Sequence, residues 1–128
     1  MGESIRLLLV ENSQNQLVAS ALYFISDSHL YGRYWGALTE YDGLHFEACY
    51  YQGIEYAIAN QLSVFDAGAQ GEHKVARGFY PVLTYSSHII QHQGFGDAIA
   101  DFCEQEQHHI GLYMQQMTAQ LPYKTTCQ

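Results

Sequence analysis

Between Gly68 and Gly78 the chain gathers Gln70, Glu72, His73, Lys74 and Arg77 among glycines and alanines, although its 128 residues hold only five lysines and arginines. Two cations three residues apart suit a phosphate or a carboxylate, and an adjacent histidine or glutamate can carry a proton. Gly68, Gly71 and Gly78 leave backbone amides free to turn outward. The spacing is not that of a phosphate-gripping GxxxxGK[ST] loop, because Gly71 and Lys74 are three apart and Val75 follows. The competing reading is a surface cluster of mutually neutralising ion pairs, each worth about 0–1 kcal/mol. Small residues packed so densely around mixed charges favour a ligand-binding loop. Glu72 and His73 are therefore candidates for proton transfer. Gln70, Lys74, Arg77 and, just beyond, Tyr85 are candidates for substrate binding.

A second group lies upstream. In HLYGRYWGA (29–37) strict alternation sends Tyr31, Arg33 and Trp35 to one face and Leu30, Gly32 and Tyr34 to the other. Arg33 would anchor an anionic group beside the aromatic floor of Trp35; alternatively it stacks on its aromatic neighbours. His45 falls in the first turn of an expected helix, whose positive end disfavours an imidazolium. A neutral imidazole there can accept a proton. Glu47 follows in the same turn, where the helix dipole favours a carboxylate. His45 and Glu47 join Glu72 and His73 as catalytic candidates. Glu106 and His109 share the i, i+3 spacing of di-metal helices, but no second such motif accompanies them, and no metal is expected.

These residues need elements to position them. Residues 5–10, 16–26 and 29–37 are three strands of an antiparallel meander joined by ENSQN and DSH turns. Gly32 and Gly36 predict a bulge or a close backbone approach in the third. Phe46, Cys49, Tyr50, Gly53, Ile54, Ala57 and Ile58 form a helical stripe, with Asp42 as N-cap, Tyr41 stapled onto Phe46 and Asn60 as a left-handed stop. Strands at 62–67 and 81–90 follow, then a last helix from Gly94 or Gly96 to about Gln120. This order predicts one α+β domain over 1–128, a mixed, mostly antiparallel sheet with helices packed on it.

Composition bounds the function. The net charge of −8 disfavours direct nucleic-acid binding, which depends on phosphate neutralisation, and equally disfavours an anionic membrane surface. Cys49, Cys103 and Cys127 form no CxxC pair, which points to reduced thiols in a cytoplasmic setting. Apolar runs are too short for a spanning helix or a signal peptide.

The strings LYGRYWGA (30–37), HFEACYYQGIEYAI (45–58) and FDAGAQGEHKVARGFYPVLTYSSH (65–88) resemble a bacterial family, the FemAB-like peptidoglycan biosynthesis/recognition proteins. The resemblance covers roughly residues 17–105. It implies the GNAT acyltransferase fold, in which the strands at 29–36 and 62–67 splay apart to admit an acyl donor and an amine. Members are usually longer, with two such modules, so the chain is expected to be the C-terminal part of one, lacking the first two helices. The implied activity is acyl or aminoacyl transfer to an amine on a cell-wall precursor or other small molecule. The other reading is a non-catalytic recognition or scaffold module. No cofactor is expected to be tightly bound, and aminoacyl-tRNA or acyl-coenzyme A are the implied donors. Coenzyme A normally rests on a basic, glycine-rich turn before the helix. Here ALTEYDGLH (37–45) carries Glu40 and Asp42 and neither lysine nor arginine. A like charge at about 4 Å costs about 1–4 kcal/mol, so weak coenzyme A binding is expected. The exposed sheet edge of an incomplete module also suggests a homodimer.

Overall fold

A computed structural model of the chain describes residues 2–69 and 71–123. By their contacts the residues fall into two compact units, Met1–Gln70 and Gly71–Gln128.

The first unit is a four-stranded open sheet with one helical segment. After a 3-10 turn (Gly2–Ser4) come β1 (Ile5–Glu11), β2 (Leu17–Ile25), β3 (His29–Ala37) and β4 (Val64–Asp66). They lie in sequence order, β1–β2 and β2–β3 antiparallel and β3–β4 parallel. The expected meander is present, and its first turn is built by one side chain. The Asn12 carboxamide oxygen accepts from the Gln14 and Gln16 amides at 2.9 and 3.0 Å, while Asn15 takes a left-handed φ of 58°. The fold is α+β, with the mostly antiparallel sheet expected from the sequence.

The bulge anticipated in β3 falls at Arg33. Leu22 pairs with Tyr34 but Tyr23 with Gly32, so Arg33 is the extra residue. Alternation is therefore broken there. Trp35, Gly32 and Leu30 share one face with Ala21, Tyr23 and Leu8, and Tyr31 and Tyr34 share the other with Phe24, Leu22 and Leu7. This corrects the grouping of Tyr31 with Trp35: one inserted residue inverts every later side chain. The first face carries the core of Ala21, Tyr23, Leu30 and Ala57, with Leu8, Ile25, Trp35, Cys49, Tyr56, Leu62 and Phe65 against it. On the second face Leu7, Leu9, Phe24, Tyr31 and Tyr34 are exposed.

The helical segment covers the core face. It runs from α1 (Leu44–Phe46) through a π turn (Glu47–Tyr51) into α2 (Gln52–Ala59). Its N-cap is Gly43, with φ 75°, not the expected Asp42, because the chain enters the helix through a left-handed residue that only glycine adopts freely. At the far end the left-handed residue is Gln61 (φ 56°), not Asn60, whose carboxamide instead donates to the Tyr56 carbonyl at 2.8 Å. In the π turn the Gln52 amide reaches back five residues to the Glu47 carbonyl. The Ala48 carbonyl accepts the Tyr23 hydroxyl from β2, a buried bond across the helix–sheet interface. A stripe drawn at α-helical spacing drifts across such a turn. Ala48 accordingly enters the core, while Ile58 is 73% exposed.

The helix approaches the sheet closely because its contact positions are small. Ala48, Gly53 and Ala57 are buried, and a Cβ on Gly53 would lie 2.6 Å from two ring carbons of Phe65. Phe65 itself meets Tyr23 at 6.2 Å between centroids.

In the second unit, the stretch at 71–78 is a 3-10 helix (Glu72–Arg77) bracketed by Gly71 and Gly78, whose φ angles of 105° and 90° exclude other residues without strain. The strand expected at 81–90 is absent. Val82, Leu83, Tyr85 and Ile89 are 74, 52, 89 and 97% exposed, and no neighbouring strand supplies the ladder that β-propensity needs. α3 (Gln93–Ala119) begins where the His92 ring accepts the Phe95 amide at 3.2 Å. Along α3, Phe95 and Phe102 are about three-fifths exposed, whereas Met117 is buried. No helix among the described residues is long and apolar enough to cross a membrane.

Two outcomes follow from the helix–sheet interface. Gly53→Ala gains about 1 kcal/mol of helix propensity but overpacks against Phe65 by about 1–3 kcal/mol. Urea unfolding should show a net loss, partly recovered in Gly53→Ala with Phe65→Leu; equal stability of wild type and Gly53→Ala would contradict the packing. Tyr23→Phe should cost about 1–2 kcal/mol at neutral pH, since it strands a buried carbonyl. Burial, with smaller contributions from Cys49 and Tyr50, pushes the Tyr23 phenol far above its ordinary value of 10.0. The unfolded chain then ionises first, so this stabilisation is whole below pH 10 and is lost as pH rises above it. Between pH 9 and 11, roughly one unit either side of that ordinary value, Tyr23→Phe should lose stability less steeply than wild type in parallel urea titrations.

Candidate functional site

The parallel ladder of β3 and β4 pairs only His29 with Val64, Leu30 with Phe65 and Tyr31 with Asp66. Beyond it β3 continues for six residues, whereas β4 ends and the Asp66 carboxylate caps the Gly68 amide at 2.7 Å. Hydrogen-bonded pairing of the two strands ends at this parting, although the Ala67 Cα stays 3.8 Å from where a Cβ on Gly32 would lie. A pocket of about 120 Å3 lies beside this parting. Its lining comes from β2 (Tyr23), β3 (Gly32, Arg33, Trp35) and the start of the helical segment (His45, Cys49, Tyr50), with Ala67 beyond β4.

His45 is the centre of an aromatic cluster. Its ring meets Trp35 edge-on at 5.6 Å and Tyr50 edge-on at 5.5 Å, and Phe46 at 5.4 Å. Three rings held this way restrict the imidazole to a narrow range of orientations. The π turn brings Tyr50, five residues on, against His45. π turns of this kind recur at functional sites. A second, larger hollow of about 480 Å3 lies at the turn before the helix and is lined by Thr39, Glu40, Tyr41 and Asp42. Trp35 and His45 line both depressions, so their edge contact forms a shared wall.

The other candidates are distributed as follows. Arg33 lines the pocket and also stacks over Tyr34, with its guanidinium carbon 5.1 Å from the ring centroid, as the structural alternative for it anticipated. Glu47 is exposed and accepts a 2.8 Å bond from the Gln52 carboxamide. Gln70 lies outside the described residues. Glu72, His73, Lys74 and Arg77 belong to the second unit. There Arg77 donates to the His73 carbonyl at 2.8 Å, and the Glu72 carboxylate accepts a long 3.4 Å bond from Tyr113. Three residues per 3-10 turn put Lys74 and Arg77 on one ridge of that helix. Tyr123 donates to the Gly78 carbonyl at 3.0 Å and stacks on Tyr80 at 5.5 Å, closing the turn from outside. Tyr85 is almost fully exposed in the irregular segment.

Sequence reasoning singled out Trp35 and His45 but missed Tyr23, Tyr50 and the pocket wall formed by Cys49. Tyr50 and Cys49 were assigned to the helix's buried stripe. The one available signal was the crowding of aromatic residues around His45 in HFEACYY.

None of the curated proteins and none of the solved structures matches this chain. Comparison with protein families does match it: residues 1–125 fit the family described as FemAB-like, peptidoglycan biosynthesis/recognition. That match spans nearly the whole chain and includes the strings around Trp35, His45 and Lys74. The chain therefore belongs to the FemAB-like family of peptidoglycan biosynthesis/recognition proteins.

Proposed function

We propose that the chain carries an acyl-transfer site that joins an acyl group to an amine of a cell-wall precursor, on a GNAT-like scaffold. The observation that carries this reading is the wall of Trp35 and His45 shared by two depressions of different character. The inner pocket, at about 120 Å3, is well below the roughly 300–1,000 Å3 of sites that enclose whole ligands. It suits the reacting end of a donor, with the remainder outside. The outer hollow carries Glu40 and Asp42, which attract an ammonium and repel a pyrophosphate.

An acceptor amine reaches the site protonated and must lose that proton before it attacks. His45, in the common wall, is positioned to take it. Backbone amides of the bulged strand around Gly32 and Arg33 would face the carbonyl oxygen as charge develops there. Positioning supplies much of the remaining acceleration. Lys74 and Arg77, within the second unit, are assigned as an anion-binding pair of their own, suited to a phosphate or carboxylate. The donor fits an aminoacyl or other activated acyl group better than coenzyme A, given the acidic turn at 37–45.

Amide formation between an activated acyl thioester and a primary amine tests this reading in the full chain. His45→Gln should lower kcat by about 10²–10⁴-fold, the usual contribution of a general base. Lys74→Ala with Arg77→Ala should abolish binding of inorganic phosphate to the chain in isothermal titration calorimetry and leave amide formation with a neutral amine unaffected. Precursor binding without turnover by the wild-type chain would instead favour the recognition-module reading.

A further inference from the structure

We propose that Cys49 is a nucleophile of this site, taking the acyl group as a thioester with His45 as its proton acceptor; this rests on the acyl-transfer reading above. Cys49 packs against the core on one side, but it is only half-buried and lines the inner pocket together with His45 and Trp35. Cys49 lies four positions after His45 on one helical segment, and both residues line the same pocket. The edge contacts of the imidazole with Trp35 and Tyr50, at 5.6 and 5.5 Å, hold it at that wall. A thiol, an oriented imidazole and a pocket sized for an acyl group therefore converge.

In the first half-reaction the His45 imidazole takes the thiol proton, and the sulfur attacks the carbonyl carbon of an activated ester or thioester. The carbonyl electron pair moves onto oxygen and then returns. The bond to the leaving oxygen or sulfur breaks, and that atom takes the proton from His45. In the second half-reaction an amine attacks the Cys49 thioester. The C–N bond forms, the C–S bond breaks, and the proton lost by nitrogen passes through His45 to sulfur. No oxidant or reductant is consumed.

The full chain can be treated with iodoacetamide and the labelled peptides quantified by mass spectrometry, with the exposed Cys103 as internal reference. At neutral pH Cys49 should be alkylated about tenfold faster than Cys103, with a pH inflection below the ordinary thiol value of about 8.5. p-Nitrophenyl acetate should leave one acetyl group on Cys49, removable by an added primary amine. His45→Gln should slow labelling of Cys49 about tenfold and leave Cys103 unchanged. Equal or slower labelling of Cys49 in the wild type, or an ordinary thiol inflection, overturns the proposal without recourse to any variant. Amide formation retained in Cys49→Ala would also overturn it while leaving acyl transfer itself intact.

Discussion

One buried hydrogen bond, from the Tyr23 hydroxyl to the Ala48 carbonyl, ties the sheet to the helical segment at the point where the helix slips register. A phenol so deep in the core keeps its proton, so it serves as a donor and not as an acid. The carbonyl it satisfies lies in the π turn, which an uninterrupted α-helix would not contain. Without a donor there, a buried carbonyl would be left unpaired, a cost comparable to a whole hydrogen bond. The π turn and the tyrosine are thus mutually dependent. The same helical segment carries His45, whose ring meets Trp35, Phe46 and Tyr50.

The rest of the first unit serves the same geometry. Small residues at 48, 53 and 57 let the helix settle close to β2 and β3, and Phe65 fills the space over Gly53. That closeness brings His45 to Trp35. The bulge at Arg33 performs the matching adjustment in the sheet, because it rotates Trp35 onto the helix side. β4 then stops after three residues, which leaves the second half of β3 bordering a pocket. Each irregularity costs some ladder or helix regularity, and together they open the cleft.

The glycine-rich stretch at 68–78 is built differently. Gly71 and Gly78 supply the positive φ angles at the two ends of a six-residue 3-10 helix, and Arg77 also donates to the His73 carbonyl. Lys74 and Arg77 still share one ridge, which keeps their charges together. The local arrangement is a turn-forming device that also presents two cations. The functional and the structural readings of this segment are therefore compatible.

The sequence by itself determined the meander, the helix after it, the long last helix and the family. Each of these rests on local periodicity, turn residues or long shared strings. It also singled out Trp35 and His45, because an aromatic strand and a histidine at a helix start are visible in one dimension. Only the tertiary structure decided which residues meet. Strict alternation and 3.6-residue spacing assume unbroken elements: the β3 glycines suggested a bulge without placing it at Arg33, and nothing local marked the π turn at 47–51. The π turn is also tied to a residue distant in sequence, since its Ala48 carbonyl accepts the Tyr23 hydroxyl. The segment at 81–90 shows the same limit from the other side: its residues favour a strand, but a strand forms only where another offers its hydrogen-bonding edge.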